Sequence, residues 1–262
     1  MRPGWNPTRR NKHAGTKAHG HGQNNRLTIP DSWARDPRLY YEKLTSYQTL
    51  CRQVASRELR FFVEPTRPDW FYPCTVDDIC ALLAHVDLDA LSAFDFIVMR
   101  QPTRKQRILC PVWGRALFAF DIDKYSGSAI VIEAQTLQPI LWPKTVHPES
   151  ARELERLRLD GHTIERTRRG IQIRATMDSL RNTMLYRTLL HEIGHHVDHK
   201  RSGDQAWDGK TKSTKEDFAH RYAKVLFEHL AQQGVVPFAP VLDDQRLSAD
   251  GLHHEWFRPS CP

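Results

Sequence analysis

No run in the sequence approaches the roughly 18 to 20 consecutive apolar residues that a bilayer span requires. The first residues also lack the apolar stretch of a secretory signal, so no membrane association is expected and the cytoplasm is the expected compartment. Cysteine is sparse: Cys51, Cys74, Cys80, Cys110 and Cys261 are odd in number and nowhere spaced as C-x-x-C. That spacing excludes a cysteine-built zinc knuckle and offers no disulfide framework, which leaves reduced thiols as the expectation. Internal repeats are absent as well. Acid is missing from residues 1–30, which hold Arg2, Arg9, Arg10, Lys12, Lys17 and Arg26. Six of the net +7 charges therefore sit in that short segment, and residues 31–262 are close to neutral.

What is present divides along the same line. Residues 1–30 are rich in Gly, Asn and His with little to bury, the composition of a disordered basic tail. His13, His19 and His21 lie in it without the spacing of a built metal site. Residues 31–262 are long enough, in a chain that is 40% hydrophobic, to form a single domain with a sizeable core. Leu39, Tyr40, Leu44, Tyr47, Leu50, Cys51 and Val54 recur at helical spacing, predicting a helix from Asp36-Pro37 to about Arg57. LRFFVEPT reads as a strand, Thr75 with Asp78 as a capped helix start, and FDFIVMR, VWGRALFAFDI and SGSAIVIEA as strands of a small sheet. Residues 139–175 read as an insertion: a charged helix from Pro148 to Leu159, then a hairpin turning at Arg169-Gly170. A long helix runs from Thr176 to about Lys200, followed by a polar connector and a second helix from Lys215 to Gln233 that Gly234 ends. Residues 235–262 read as irregular. The fold class is α+β.

The chemistry concentrates in RTLLHEIGHHVDHK, residues 187–200. At 100° per residue Leu185, Tyr186, Leu189, Leu190, Ile193 and Val197 share one apolar arc and face the core. His191 and His195 are four apart, so their imidazoles stack on another face with Glu192 beside them. Two imidazoles can then reach one cation while the glutamate reaches a water next to it, which is the logic of H-E-x-x-H. A solvent-facing helix that only happens to carry these residues is the bland alternative. A catalytic zinc needs a third protein ligand, and Glu216 falls in line with Ala219, Ala223, Phe227 and Leu230 on the inward side of the second helix. An inward carboxylate is costly unless neutralised, and Zn²⁺ would do so. The competing reading makes Glu216 the partner of Ser213 in a capping box, with Thr214 or Asp217 as other caps. His220, one turn beyond Glu216, is read as a catalytic residue donating a hydrogen bond to a reacting carbonyl, as a support for the ligands, or as a satisfied core histidine. Asp198 is read as an orienter of an imidazole or as a surface acid. His196 and His199 are read as structural.

HEIGHH with Asp198, a polar connector and EDFAHRYA resembles the zincin-type zinc metallopeptidases. Among these the pattern is most similar to the gluzincins, in which a second helix brings a motif such as E-x-F-A-E. The resemblance covers about residues 185–230. It implies a zincin-like α+β fold, with a small mixed sheet packed on an active-site helix and a second ligand-bearing helix. It implies Zn²⁺ held by His191, His195 and Glu216, with Glu192 as general base in the hydrolysis of a peptide or protein substrate. An edge strand would hold that substrate, and SGSAIVIEA is the candidate by its place in the chain. His220 departs from the motif, which often has an acid there. Two other function classes stand beside this one. One is a nucleic-acid-associated protein using the basic tail and Arg100, Arg104, Lys105 and Arg107 of RQPTRKQR; it is not favoured, because interleaved aromatics and a DNA-binding motif are absent. The other is a peptide-binding pseudoenzyme.

Overall fold

A computed structural model describes residues 44, 46–104 and 112–258, all within one compact unit. The expected basic tail, the start of the helix expected from Asp36, and Lys105, Arg107, Cys110 and Cys261 lie outside the described residues. The chain is α+β. Strands β1 (Gln48–Val54) and β2 (Arg57–Val63) form a hairpin; helices α1 (Val76–Leu83) and α2 (Leu88–Leu91) follow; then come β3 (Phe96–Arg100), β4 (Gly114–Ile122) and β5 (Tyr125–Glu133). The order in this sheet is β1-β2-β3-β5-β4, with β2, β3 and β5 parallel and both outer strands antiparallel to their neighbours. Ile97, Val98 and Met99 in the middle strand are fully buried, as expected of a strand covered on both faces.

Two expectations are corrected here. The helix predicted to reach Arg57 is strand β1 over its described part. Leu50 and Val54 are buried there, and Arg52, between them on the same face, is held by Asp77 and Asp250. A charged residue at the middle inward position turns an alternation of two into a spacing of four, which imitates a helix. The second correction concerns the edge: SGSAIVIEA is β5, an interior strand, and β4 is the one at the edge beside the helices. Strand order is set by non-local pairing, so the place of a strand in the chain could not assign it.

Residues 139–175 form a second, three-stranded sheet ordered β6-β8-β7, from β6 (Ile140–Trp142), β7 (Thr163–Arg166) and β8 (Ile171–Arg174). Helix α3 (Pro148–Leu159) packs Leu154 and Leu157 on Ile171 and Ile173. Its hairpin turns where expected: Thr167 N–H donates to the Gly170 carbonyl at 2.8 Å. A side chain at Gly170 would begin 2.1 Å from the Trp142 carbonyl oxygen, so no other residue fits that turn.

The long helical stretch is a composite. A capping box at Thr176 starts α4 (Met177–Arg181), a π-helical run covers Asn182–Thr188, and α5 (Leu189–Ser202) carries the histidines to Gly203. Leu185, Leu189, Leu190, Ile193 and Val197 are almost entirely buried against the sheet and α1. Burying each side chain of this kind contributes about 1.5–3 kcal/mol, which fixes the rotation of α5. His196 joins that buried face, its Nε2 3.1 Å from the Ala129 carbonyl of β5, and is structural as expected. Short helix α6 (Asp204–Asp208) lies within the connector, and α7 (Lys212–Gln232) begins three residues earlier than expected. The cap of α7 is Thr211, whose hydroxyl accepts from Thr214 N–H at 3.2 Å, so Glu216 is not part of a capping box. Gly234 ends the helix at φ 71°, with Val235 N–H donating to the Leu230 carbonyl. Residues 235–262, expected to be irregular, contain helix α8 (Asp244–Ala249) and a short turn of 3-10 helix at His254–Trp256. Among the described residues no helix is long and apolar enough to cross a membrane. Cys51, Cys74 and Cys80 are free thiols.

Candidate metal centre

Helices α5 and α7 touch through two small residues. A Cβ on Gly194 would lie 3.0 Å from Ala219 Cα and 3.1 Å from its carbonyl oxygen, so the backbones meet there. His191 and His195 stand three before and one after Gly194, and Glu216 and His220 stand three before and one after Ala219. The same offsets on two crossing helices bring these four side chains together.

His191 Nε2 and His195 Nε2 are 3.1 Å apart; Glu216 Oε2 is 3.3 Å from the first and 3.8 Å from the second. Nitrogen and oxygen ligands at about 2.0–2.1 Å from a tetrahedral ion are separated by roughly 3.3 Å. Two of the three separations lie close to that edge length, and the third, from His195 to Glu216, is longer. One donor atom each from His191, Glu216 and His220 lie within 4.8 Å of one another, a group that can hold a metal ion and that does not include His195. The rings of His191 and His220 are 4.3 Å apart. Glu216 faces this cluster with its side chain 40% exposed; the sequence placed it toward the core, and it points into a groove instead.

Electrostatics separate the two glutamates. Glu192 is buried, and burial pushes its carboxyl up to about 7; Glu216 adds to this, while His191 and the Ala116 N–H, which donates to the carboxylate, oppose it. Glu216 is drawn down to about 2, first by the hydrogen bond from His191. Burial lowers His195 to about 4 and His220 to about 3, His191 adding to both, so each is neutral and able to ligate at pH 7.

Strand β4 forms the wall next to Glu192. Its Trp113 carbonyl accepts from Glu133 N–H of β5, so the alternate residues Gly114 and Ala116 turn their backbone groups outward. Among the described residues no strand pairs with that side. A Cβ on Gly114 would lie 2.7 Å from Thr188 Cγ2 and 3.3 Å from Glu192 Cγ. Gly114 and Ala116 were not singled out from the sequence, although a lone glycine inside VWGRAL is a signal for close backbone approach. The groove over these side chains has a volume of about 1020 Å³ and is lined by Trp113, Phe118 and Trp207, with α3 of the 139–175 segment contributing Arg152 and Arg156. His199 stacks on Phe118 with ring centroids 4.3 Å apart and is structural, as expected.

Asp198 does not orient an imidazole. Lys210 Nζ donates to its Oδ1 at 2.6 Å, tying the connector to α5, and its Oδ2 has no hydrogen-bond partner. His191 Nδ1 and His195 Nδ1 are also buried without partners. Of the basic track at 100–107, Arg100 is the last residue of β3 and is buried, so it does not face solvent phosphate. Comparison with protein-family models, with curated proteins and with solved structures gives no match.

Proposed function

We propose that the protein is a zinc metallopeptidase of the zincin type, with a zincin-like arrangement of sheet and helices. The observation that carries this reading is the approach of His191 Nε2, His195 Nε2 and Glu216 Oε2 to within 3.1–3.8 Å of one another beside a buried Glu192. Two imidazoles and a carboxylate form a donor set suited to catalytic Zn²⁺. When bound, the ion supplies Lewis acidity, activating water and polarising a carbonyl. The chain does the rest. Glu192, with a carboxyl poised near 7, takes the proton of the attacking water on a carboxylate oxygen and returns it to the leaving amine. Ala116 N–H holds that carboxylate toward the groove. The substrate, an extended peptide or protein segment, pairs with the outward backbone groups of β4.

Glu192→Gln should retain one equivalent of metal and lose turnover by roughly 10²–10⁴-fold, whereas Glu216→Ala should lose the metal. Metal analysis of both variants with a peptide-library digest, with and without chelator, checks this. Cleavage by Glu192→Gln at the parent rate would remove Glu192 as base, and no cleavage by the zinc-loaded parent would remove the peptidase reading.

A further inference from the structure

We propose that Arg152 and Arg156 of α3 form an anion-recognising subsite, and that the substrate is a peptide bearing a carboxylate near the bond to be cleaved. The proposal rests on the metallopeptidase reading above and names a substrate class for that site. Besides Glu192 and Glu216, six basic and three acidic side chains line the groove. A cleft with such an excess focuses a positive potential and draws in ligands of the opposite sign. On α3 the lining residues Glu149, Arg152, Glu153 and Arg156 recur at three or four residues from turn to turn, so they form one stripe along the groove.

The stripe is cationic at its metal end. Its Glu153 is shared by two cations: Arg187 Nη1 donates to Oε1 at 2.9 Å and Arg156 Nη1 to Oε2 at 3.2 Å. Arg187 precedes His191 by four residues, about one helical turn, so the Arg156 end of the stripe is the one beside the metal centre. Glu149 has no ion pair among the described residues and stands two turns away from Arg156, about 10 Å along the helix. Arg152 has neither an ion pair nor a hydrogen bond among the described residues, and Arg156 commits Nη1 alone, so both guanidiniums keep N–H donors for a ligand. Like charges four apart on a helix repel, and a carboxylate held between them relieves that repulsion. The wall is anchored as well. Asp160, the C-cap of α3, accepts from Arg187 Nε at 2.6 Å and Thr183 Oγ1 at 2.7 Å, and its carbonyl accepts from Asn182 Nδ2 at 3.1 Å. All three donors belong to the π-helical run that leads into α5, so α3 is in position before substrate arrives.

The test uses the zinc-loaded full chain and peptides identical except for Glu, Gln or Lys at each position around the cleaved bond, each made with a free and an amidated C-terminus. At one position the parent should cleave the Glu peptide with kcat/KM roughly tenfold or more above the Gln peptide, with the Lys peptide slowest. Arg152→Gln combined with Arg156→Gln should abolish that ratio, and Arg152→Glu combined with Arg156→Glu should place Lys above Glu, both at the parent zinc content. A Glu preference that survives amidation assigns the carboxylate to a side chain. Faster cleavage of free than of amidated peptides, lost in the same variants, assigns it to the chain end. Parent-like ranking in the glutamine variant, or no preference of the parent for a carboxylate from either source, would overturn the proposal and leave the peptidase reading intact. A zinc-loaded parent that cleaves none of the peptides would instead remove that reading and the proposal with it. Far-ultraviolet circular dichroism shows whether each variant is folded, and the glutamine variant alone decides the question.

Discussion

Gly114 shows how one missing side chain sets the site. Thr188, the Val131 carbonyl and Glu192 occupy the space a Cβ would need, at 2.7, 3.0 and 3.3 Å. All three neighbours belong to helices or the sheet, so the strand would have to move away from the helix. Gly114→Val should therefore lower turnover at least tenfold, the cost of displacing Glu192 from its Ala116 contact, while metal content stays at the parent value. Kinetics beside metal analysis check this; parent-like turnover would show that β4 does not position Glu192 for the proposed reaction. At this scale the sequence was legible where geometry is local. His191, Glu192 and His195 share one helix, and their relation follows from 3.6 residues per turn. Asp198 was not legible: its partner Lys210 is twelve residues away, beyond a turn whose path no periodicity encodes.

The helix pair is where local order becomes a site. Gly194 and Ala219 let α5 and α7 approach until the four donors meet. Gly194→Ala places a methyl 3.0 Å from backbone, and the helices must separate by a few tenths of an ångström. The expected outcome is a stability loss of about 1–3 kcal/mol with weaker metal binding, read by denaturant melts and a competitive Zn²⁺ titration; an unchanged affinity would mean that the crossing does not set the donor distances. The second helix was found in the sequence, and its convergence with the first was inferred from an inward glutamate. The crossing residues were not found, because Gly and Ala mark close approach only when the partner is known. Strand β1 failed for a related reason, since Arg52 hides the alternation by pairing with acids from α1 and the α8 end. The π-helical run was also invisible, as it differs from α-helix by a hydrogen-bond shift rather than by composition.

For the molecule as a whole, buried histidines decide the response to acid. Burial lowers His196 to about 4 and His162, whose Nε2 lies 2.8 Å from Thr183 Oγ1, below its ordinary value. His195 and His220 are depressed as well when no metal is bound. In each case the unfolded chain takes up a proton first, so the stabilisation is complete above about 6.5 and is lost as pH falls toward the folded values. For His196 alone the loss is on the order of 3 kcal/mol. Glu192 and Glu133 act in the opposite sense, because burial raises both carboxyls and each binds a proton in the folded state, but they are two groups against four. Thermal melts in chelator should show Tm falling from pH 7 to pH 4.5, and a flat profile would contradict burial of these rings. The class α+β and the presence of the 139–175 segment were legible at this scale, whereas its separate three-stranded sheet and its place beside the groove were not, since both depend on packing between distant parts of the chain.

The crossing at Gly194 and Ala219 also means that residues 203–211 contribute none of the side chains His191, His195, Glu216 and His220. The cage is defined by how two surfaces seat against each other, not by the path that joins them. A polypeptide divided within that link would keep, on its two fragments, the two matching helix faces, each with two of these four side chains.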